Sequence, residues 1–172
     1  MVSNAPNTQA HMYSHMYDFV DLRRCSDRKP VYAFGSMMDF IDKHPDLTTM
    51  RYLMQISHLD GIYGDQQANF TLFAFSDKLL DKYGAAFENM DKHTAYNLIR
   101  YSTLNRKMPA RLLEDNSGAV FTTKSRDKLL VGLTKEGQIL LNGCTRVVTP
   151  DLSFTNGIIH IVDDVLTSRR EH

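Results

Sequence analysis

The sequence predicts an α+β domain in which helices come first and an antiparallel sheet follows. Apolar residues recur at helical spacing through much of the first half, whereas short apolar runs separated by turn residues fill the second half. The connections between those runs are too short for helical crossovers, so neighbouring strands are expected to be antiparallel. With 172 residues, the chain has the length of one domain and can form a core without disulfide or metal staples.

Helix starts are predicted from capping residues in the first half of the chain. Ser36 and Asp39 have the spacing of a capping box, and Pro45-Asp46 is expected to start a second helix. Ser76 is expected to cap the helix that follows an early strand, and Asp91 a later helix. The methionines among these segments are interpreted as core-filling residues.

Strands are predicted from apolar runs bounded by turn residues. Asn142-Gly143 is a hairpin signal, Pro150 is expected to end the strand that follows it, and the segment from Gly61 to Gly64 is expected to be a loop. The predicted strands are residues 70–75, 119–123, 128–134, 138–141, 145–149 and 158–166.

The charge balance excludes several kinds of partner. Lys and Arg number 20, and Asp and Glu number 20. A generic nucleic-acid binder needs an excess of cations, so no nucleic-acid partner is expected.

The longest apolar runs are too short to span a bilayer, and no signal peptide is visible at residues 1–10.

The cysteine and histidine patterns do not predict a metal site. Cys25 and Cys144 are far apart, and they either form one bridge or remain two buried thiols. His11 and His15 have helical i, i+4 spacing, but no third ligand is near them. No metal is therefore expected.

Two short segments carry a family resemblance. The first, Asn69–Leu80, is an apolar strand that runs directly into a helix, and the second, Asn156–Leu166, is an apolar strand with one histidine, His160. This pair, in this order, resembles the two signature segments of the fasciclin domain family. The chain departs from the family pattern at Phe75, where the family has proline, and at Ser102, where the family has histidine after tyrosine.

The resemblance implies a fold, a function and domain boundaries. The fold would be a fasciclin-like antiparallel β wedge or sandwich with helices packed along it, covering residues 31–168. Residues 1–30 would be a partly disordered extension and residues 169–172 a tail. The function would be non-enzymatic cell adhesion or matrix association, at the cell surface or outside the cell. Partners would be a protein or glycan surface, or a second copy of the chain, and no cofactor would be needed.

By the same resemblance, the contact surface would include Tyr101, Ser102 and Leu104, together with an exposed edge near His160. Two of these residues also have a simpler interpretation. Tyr101 is more typical of a packing residue than of a contact, and a single histidine in an apolar strand is more often a hydrogen-bonded structural residue than a catalyst.

Two alternatives for the function remain open. The scaffold could instead hold a small molecule, in which case an apolar pocket with converging polar groups is expected, or it could self-associate. Ser102, His160 and Asp163 could be grouped as a hydrolase triad, but the chain lacks the nucleophile motif that such a triad requires. Asn69 begins an N-glycosylation sequon with Thr71, so it is a candidate glycan acceptor.

Overall fold

The computed structural model describes the backbone of residues 31–32 and the whole of residues 35–168. The predicted extension 1–30 and tail 169–172 lie outside the described residues, as do Cys25, His11 and His15. One sheet forms the centre, with strand order β3–β2–β8–β7–β6–β5–β4 and with β1 paired to β7. The strands are β1 (Val31–Tyr32), β2 (Phe70–Phe75), β3 (Thr103–Leu104), β4 (Val120–Thr122), β5 (Lys128–Leu133), β6 (Ile139–Leu141), β7 (Thr145–Phe154) and β8 (Gly157–Val162).

The second half of the chain forms the predicted antiparallel meander. Each of β4 to β7 pairs antiparallel with the next strand along the chain. Asn142 and Gly143 have φ values of 53° and 76°, as the predicted hairpin turn requires. Pro150, however, does not end β7, so that prediction is wrong. The strand continues because its register shifts on both sides of Thr149, and at such a bulge the missing proline N–H costs no ladder hydrogen bond.

The two signature segments lie side by side in the middle of the sheet. Strand β2 pairs with β8 in parallel, from Phe70 opposite Gly157 to Phe75 opposite Val162. The sheet is therefore mixed and not purely antiparallel. Both faces of β2 are covered, as its two apolar faces predict. The combination of sheet and helices confirms the predicted α+β class.

Two of the helices begin at local side-chain caps, as predicted. Ser36 and Asp39 form the predicted capping box, and the Asp91 carboxylate accepts a hydrogen bond from the Thr94 N–H at 2.7 Å. Ser76 makes no side-chain cap, which corrects the prediction. The helices are α1 (Met37–Lys43), α2 (Thr48–Ile56), α3 (Asp60–Gly64), α4 (Leu80–Glu88), α5 (Lys92–Tyr101) and α6 (Ala110–Asp115), with a 3₁₀ turn, Asp77–Leu79, before α4.

Asp77, next to Ser76, caps a different helix. Its carboxylate accepts hydrogen bonds from the N–H groups of Thr48 and Thr49, at 3.2 and 2.8 Å, where α2 begins. A carboxylate at a helix N-terminus satisfies free N–H groups and the positive end of the helix dipole. Asp77 therefore joins the turn after β2 to helix α2.

The core lies between the sheet and the helices. Helix α2 packs against α5, and α1 packs against β8. The prediction that methionines fill the core is confirmed for five of them, which are at most 5% exposed: Met37, Met38, Met50, Met54 and Met108.

Candidate functional site

The four residues predicted to contact a partner have buried side chains. Tyr101, Ser102 and Leu104 are 3%, 4% and 2% exposed, and His160 is fully buried. The expected exposed edge at His160 is therefore wrong. Strand β8 has β2 on one side and β7 on the other, so no residue of β8 lies at an edge of the sheet.

His160 is held by two backbone groups. Its Nδ1 atom accepts a hydrogen bond from the Asp151 N–H at 3.0 Å, and its Nε2–H donates to the Met108 carbonyl at 2.8 Å. Burial lowers the pKa of the His160 imidazole, so the ring is neutral. The Asp151 carboxylate in turn accepts a hydrogen bond from the Ala110 N–H at 2.8 Å. His160 thus ties β8 to the β7 bulge and to the segment before α6.

The Tyr101 and Ser102 hydroxyl groups hold the end of α5 in place through hydrogen bonds. The Tyr101 hydroxyl donates to the Lys128 carbonyl at 2.7 Å and accepts from the Asn142 amide at 2.8 Å. The Ser102 hydroxyl donates to the Leu98 carbonyl at 2.9 Å. These contacts fix the end of α5 against the β4–β5 and β6–β7 turns.

Cations lie in the segments that adjoin Tyr101–Leu104. They come from the end of α5, from the loop between β3 and α6, from the turn between β4 and β5 and from the first residue of β5. Four of the side chains are exposed and two, those of Arg100 and Lys124, are half-buried. We call this set the basic patch; it consists of Arg100, Arg106, Lys107, Lys124, Arg126 and Lys128.

Backbone contacts bring the parts of the basic patch together. The Lys124 N–H donates to the Thr103 carbonyl at 2.8 Å, and the Arg100 guanidinium donates to the Lys124 carbonyl at 2.9 Å. The Lys124 ammonium lies 4.5 Å from the centre of the Phe70 ring. Lys124 is therefore anchored to β3, to α5 and to β2.

The arginine of the β3–α6 loop is anchored in the same way. The Arg106 guanidinium carbon lies 5.3 Å from the centre of the Phe121 ring in β4. The Arg106 carbonyl accepts a hydrogen bond from the Thr71 hydroxyl at 2.7 Å, and that hydroxyl accepts one from the Met108 N–H at 2.7 Å. Thr71 therefore holds this loop against β2.

The charges of the basic patch are not neutralised within the described part of the chain. Across residues 35–168, no ion pair joins any of the six cations to a carboxylate. Burial, and then the nearby Arg100 charge, lower the pKa of the Lys124 ammonium. An anion close to these cations would therefore be stabilised.

A groove borders the basic patch. Its cavity volume is about 800 Å³, within the range of ligand sites in proteins. Apolar side chains, including Phe87 and Leu98, lie beside polar ones, including Asp127 and Thr145, and Arg100 belongs both to the groove and to the basic patch. Such a mixture of apolar lining and converging polar groups is what the small-molecule alternative predicts.

The residues grouped as a triad have other partners. Both His160 nitrogens bond backbone groups, the Ser102 hydroxyl bonds Leu98, and the Asp163 carboxylate accepts from the Arg146 N–H at 2.8 Å. They do not form a nucleophile–base relay. Within the described residues, no group of three His, Cys, Asp or Glu side chains could hold a metal ion.

Two other predicted residues are on the surface. Cys144 is exposed, which corrects the expectation of a buried thiol, while its proposed bridge to Cys25 lies outside the described residues. Asn69 is exposed just before β2, so its amide is accessible to a glycan, although Thr71 of the same sequon is fully buried. No helix among the described residues is long and apolar enough to cross a membrane.

Sequence reasoning missed the role of Asn156, the first residue of the second signature segment. Its fully buried amide accepts from the Met37 N–H at 2.9 Å and donates to the carbonyls of Tyr63 and Asp65 at 2.8 and 2.9 Å. These bonds join the start of β8 to α1 and to the end of α3. An Asn-Gly pair gives only a local turn signal, which contains no information on such distant partners.

The fold and surface together define an α+β domain with signature strands at its centre and a cationic surface across its loops. Residues 45–168 match the family model described as the Fasciclin domain. The chain therefore belongs to the fasciclin domain family, as its two signature segments predict.

Two comparisons with individual proteins agree with this assignment. Human periostin is 31% identical over 143 residues, which cover 81% of this chain but 17% of periostin. A FAS1 domain pair from the insect cell adhesion molecule Fasciclin I has a TM-score of 0.66 and 19% identity, with 80% of this chain and 52% of that chain covered. The chain thus spans a small part of one relative and about half of the other.

Proposed function

We propose that this domain is a non-enzymatic adhesion or matrix-associated module that binds a protein or carbohydrate surface through the basic patch. The observation that carries the proposal is the position of the patch. Six cations without carboxylate partners among the described residues lie in segments that adjoin Tyr101–Leu104, where the family resemblance implies a contact surface. The buried Tyr101, Ser102 and Leu104 act as its scaffold.

The place of action proposed is the cell surface or the space outside the cell. Membership in the fasciclin domain family and the likeness to the cell adhesion molecule Fasciclin I support it. Protease treatment of intact source cells, followed by peptide detection, tests it. Release of peptides from this chain is expected, and protection until the cells are lysed would refute it.

Adhesion itself is tested by cell attachment to surfaces coated with the domain. Two exposed patch lysines are reversed in Lys107→Glu/Lys128→Glu, and two exposed lysines outside the patch are reversed in the matched control Lys92→Glu/Lys135→Glu. Both variants change the net charge equally. We expect attachment to be lost only with the patch variant. Equal attachment to both variants would show that the surface is elsewhere, and no attachment to the unmodified domain would refute adhesion.

Tyr101→Ala is a poor test of this surface. The ring is buried, and its hydroxyl makes two hydrogen bonds, so truncation would disturb the scaffold together with the surface. Charge substitutions at exposed positions separate recognition from folding.

The groove supports a second candidate function, the binding of a small molecule. Ala86 lines the groove and is exposed, whereas the exposed neighbour Ala85 does not line it. Native mass spectrometry of protein purified from its source would detect a bound molecule. If the groove is its site, Ala86→Trp will abolish the mass increase and Ala85→Trp will retain it. Retention in both variants would exclude the groove.

A further inference from the structure

We infer that the groove is the docking site of a segment of the same chain, residues 17–25, an inference that goes beyond the proposed function and does not depend on it. Three observations support this docking. They are the direction of β1, the distance between β1 and the groove, and the order of polar and apolar residues before β1.

Strand β1 is entered from the direction of the groove. Val31 lies opposite Leu152 and Tyr32 opposite Ser153, so β1 runs parallel to β7. The residues that precede Val31 therefore come from the side of the sheet on which β7 begins, at Thr145. Thr145 lines the groove, and so does the residue before it, the exposed Cys144.

The pairing of β7 with β8 gives the distance from β1 to this end of the groove. Leu152 lies opposite Ile159 and Val147 opposite Val162, so three steps of β8 span this part of β7. Three further steps along the chain lead from Val147 to Cys144. At about 3.3 Å per step, Cys144 lies about 20 Å from Leu152.

The chain before β1 is long enough to cover this distance. Cys25 precedes Val31 by six residues, which span about 20 Å when extended. Strand β6 pairs with β7 at Thr145 and Arg146, so the incoming chain has to cross the surface and not extend the sheet there. A segment that arrives by this path has Cys25 at the edge of the groove and the residues before Cys25 inside it.

The residues before β1 change from polar to apolar at this same point. Residues 23–30 read Arg-Arg-Cys-Ser-Asp-Arg-Lys-Pro and contain no large apolar side chain. Burial of charged groups is costly, so this stretch suits a crossing of the solvent-exposed surface. Tyr17, Phe19, Val20 and Leu22 come directly before it. The apolar side chains therefore occur where the chain reaches the groove.

The groove provides apolar surface for these side chains. Tyr83, Met90, Leu98 and Val165 line it and are half-buried. An aromatic side chain buries about 150–250 Å² when it packs. The cavity of about 800 Å³ accommodates several side chains of a peptide.

The groove also provides partners for a peptide backbone. Thr94 and Asn97 line it and are exposed. A hydroxyl group and an amide group can each donate and accept, so they can bond the N–H and C=O groups of an incoming segment.

The covalent connection favours this occupant over a free one. A segment joined to its site by a short linker is present there at an effective concentration in the millimolar range. A free ligand at about micromolar concentration has to bind about a thousandfold more tightly to displace it. A second copy of the chain and a small molecule are the competing occupants.

The test is disulfide formation between Cys25 and Cys144 in the full chain, in a glutathione buffer. A disulfide requires Cα atoms about 4.4–6.8 Å apart, so its formation reports that the segment has reached the groove. One cysteine thiolate attacks oxidised glutathione and forms a mixed disulfide, and the second thiolate then displaces the attached glutathione. Two cysteine thiols are thereby oxidised to one disulfide, and one oxidised glutathione is reduced to two thiols, which take up the two protons.

The ratio of bridged to reduced chain gives the effective concentration of the two thiols. We expect it to be at least about tenfold higher in the folded chain than in about 8 M urea. Peptide mass spectrometry on a mixture of ¹⁵N-labelled and unlabelled chains should find the bridge within single chains. Equal values with and without urea would overturn the inference. Bridges mainly between two chains would assign the groove to a second copy and overturn it as well.

Two tryptophan variants test whether the groove itself holds the segment. Ala86→Trp fills the groove, and Ala85→Trp places the same side chain outside it. Far-UV circular dichroism establishes that both are folded. We expect the effective concentration to fall at least about fivefold in Ala86→Trp and to stay within about twofold in Ala85→Trp. Equal values in the two variants would overturn the assignment to the groove.

Two double variants test the apolar side chains of the segment. Phe19→Ser/Leu22→Ser removes two of them, and the matched control Asn4→Ser/Gln9→Ser changes two polar residues further from β1. We expect at least about a tenfold fall in effective concentration only in the first variant. An unchanged value would show that the short linker alone brings the cysteines together, and this result would overturn docking. A small molecule that copurifies with the chain and is lost in Ala86→Trp would also overturn it, because that molecule would then be the occupant of the groove.

Discussion

Replacing Asn156 should destabilise the domain strongly for so small a side chain. The amide makes three hydrogen bonds, to Met37, Tyr63 and Asp65. A buried hydrogen bond contributes about 1 kcal/mol, and an unpaired buried partner costs about 1–3 kcal/mol. Asn156→Ala removes all three bonds, so the free energy of unfolding should fall by about 3–5 kcal/mol. This loss is a large fraction of the stability of a typical domain.

Asn156→Asp tests the direction of these bonds. The introduced carboxyl group can still accept from the Met37 N–H, but its second oxygen faces two carbonyl oxygens. The folded state should therefore raise the pKa of this group, because only its protonated form can donate. In the unfolded chain the pKa of this carboxyl group is about 4. Because its pKa is higher in the folded chain, protonation of the group stabilises the fold fully at pH values below about 4, and this stabilisation is lost as the pH rises through the folded pKa.

The assay is urea unfolding followed by far-UV circular dichroism, at about pH 7.5 and about pH 4.5, values chosen relative to that unfolded pKa. The stability gap between Asn156→Asp and the unmodified chain should narrow at the lower pH. The gap for Asn156→Ala should remain constant, which makes that variant the control. A loss below about 1 kcal/mol for Asn156→Ala, or equal gaps for Asn156→Asp at both pH values, would refute the reasoning.

Three further predictions concern stability and use the same unfolding assay. Burial lowers the pKa of His160 in the folded chain. The unfolded chain therefore binds a proton at this residue near pH 6.5 that the folded chain does not bind. The free energy of unfolding should consequently fall as the pH drops below about 6.5. If a His160→Asn variant loses the same amount of stability at low pH, another titrating group causes the loss. An added Cβ at Gly157 would collide with the Phe70 carbonyl oxygen, so Gly157→Ala should lower the free energy of unfolding by about 1–3 kcal/mol. An added Cβ at Gly61, on α3, meets no atom, so Gly61→Ala should leave the free energy of unfolding unchanged or raise it by up to about 1 kcal/mol. Equal effects of the two alanines would contradict this steric argument. Tyr101→Phe retains the ring and removes two hydrogen bonds, so it should cost about 1–3 kcal/mol, and an unchanged urea midpoint would show that they contribute nothing.

The elements set by local chemistry could be predicted from the sequence. The capping box at Ser36, the cap at Asp91 and the hairpin at Asn142 each depend on residues within a few positions of one another. The same holds for β2, whose continuous apolar run predicts burial on both faces. Each of these patterns lies within one turn or one strand, so it can be recognised in the sequence without knowledge of the fold.

The features that depend on distant partners could not be predicted. Asp77 caps α2 and not its own helix, and Gly61 and Gly64 lie in a short helix although glycine disfavours helices. Tyr63 explains that helix, because its buried hydroxyl lies 2.6 Å from the Thr103 hydroxyl. Such a tertiary contact overrides local propensity.

The side chains that the family resemblance indicates are buried, so they are not those that the surface exposes. The family resemblance indicated Tyr101, which is buried, whereas the basic patch is exposed directly around it. Lys124 joins the patch only because its backbone bonds Thr103. No spacing rule along the chain connects these positions, so the patch could be recognised only in the folded domain.

The position of β8 has a consequence for how the domain is made. It is the last described strand along the chain, yet it lies between β2 and β7 in the sheet. During synthesis, β2 leaves the ribosome long before its parallel partner exists, so one edge of a strongly apolar strand stays unpaired. Pairing strands so far apart in sequence also makes folding slow. The nascent domain therefore depends on protection from aggregation until Gly157–Val162 has been synthesised, and a chain that stops before them would lack the centre of its sheet.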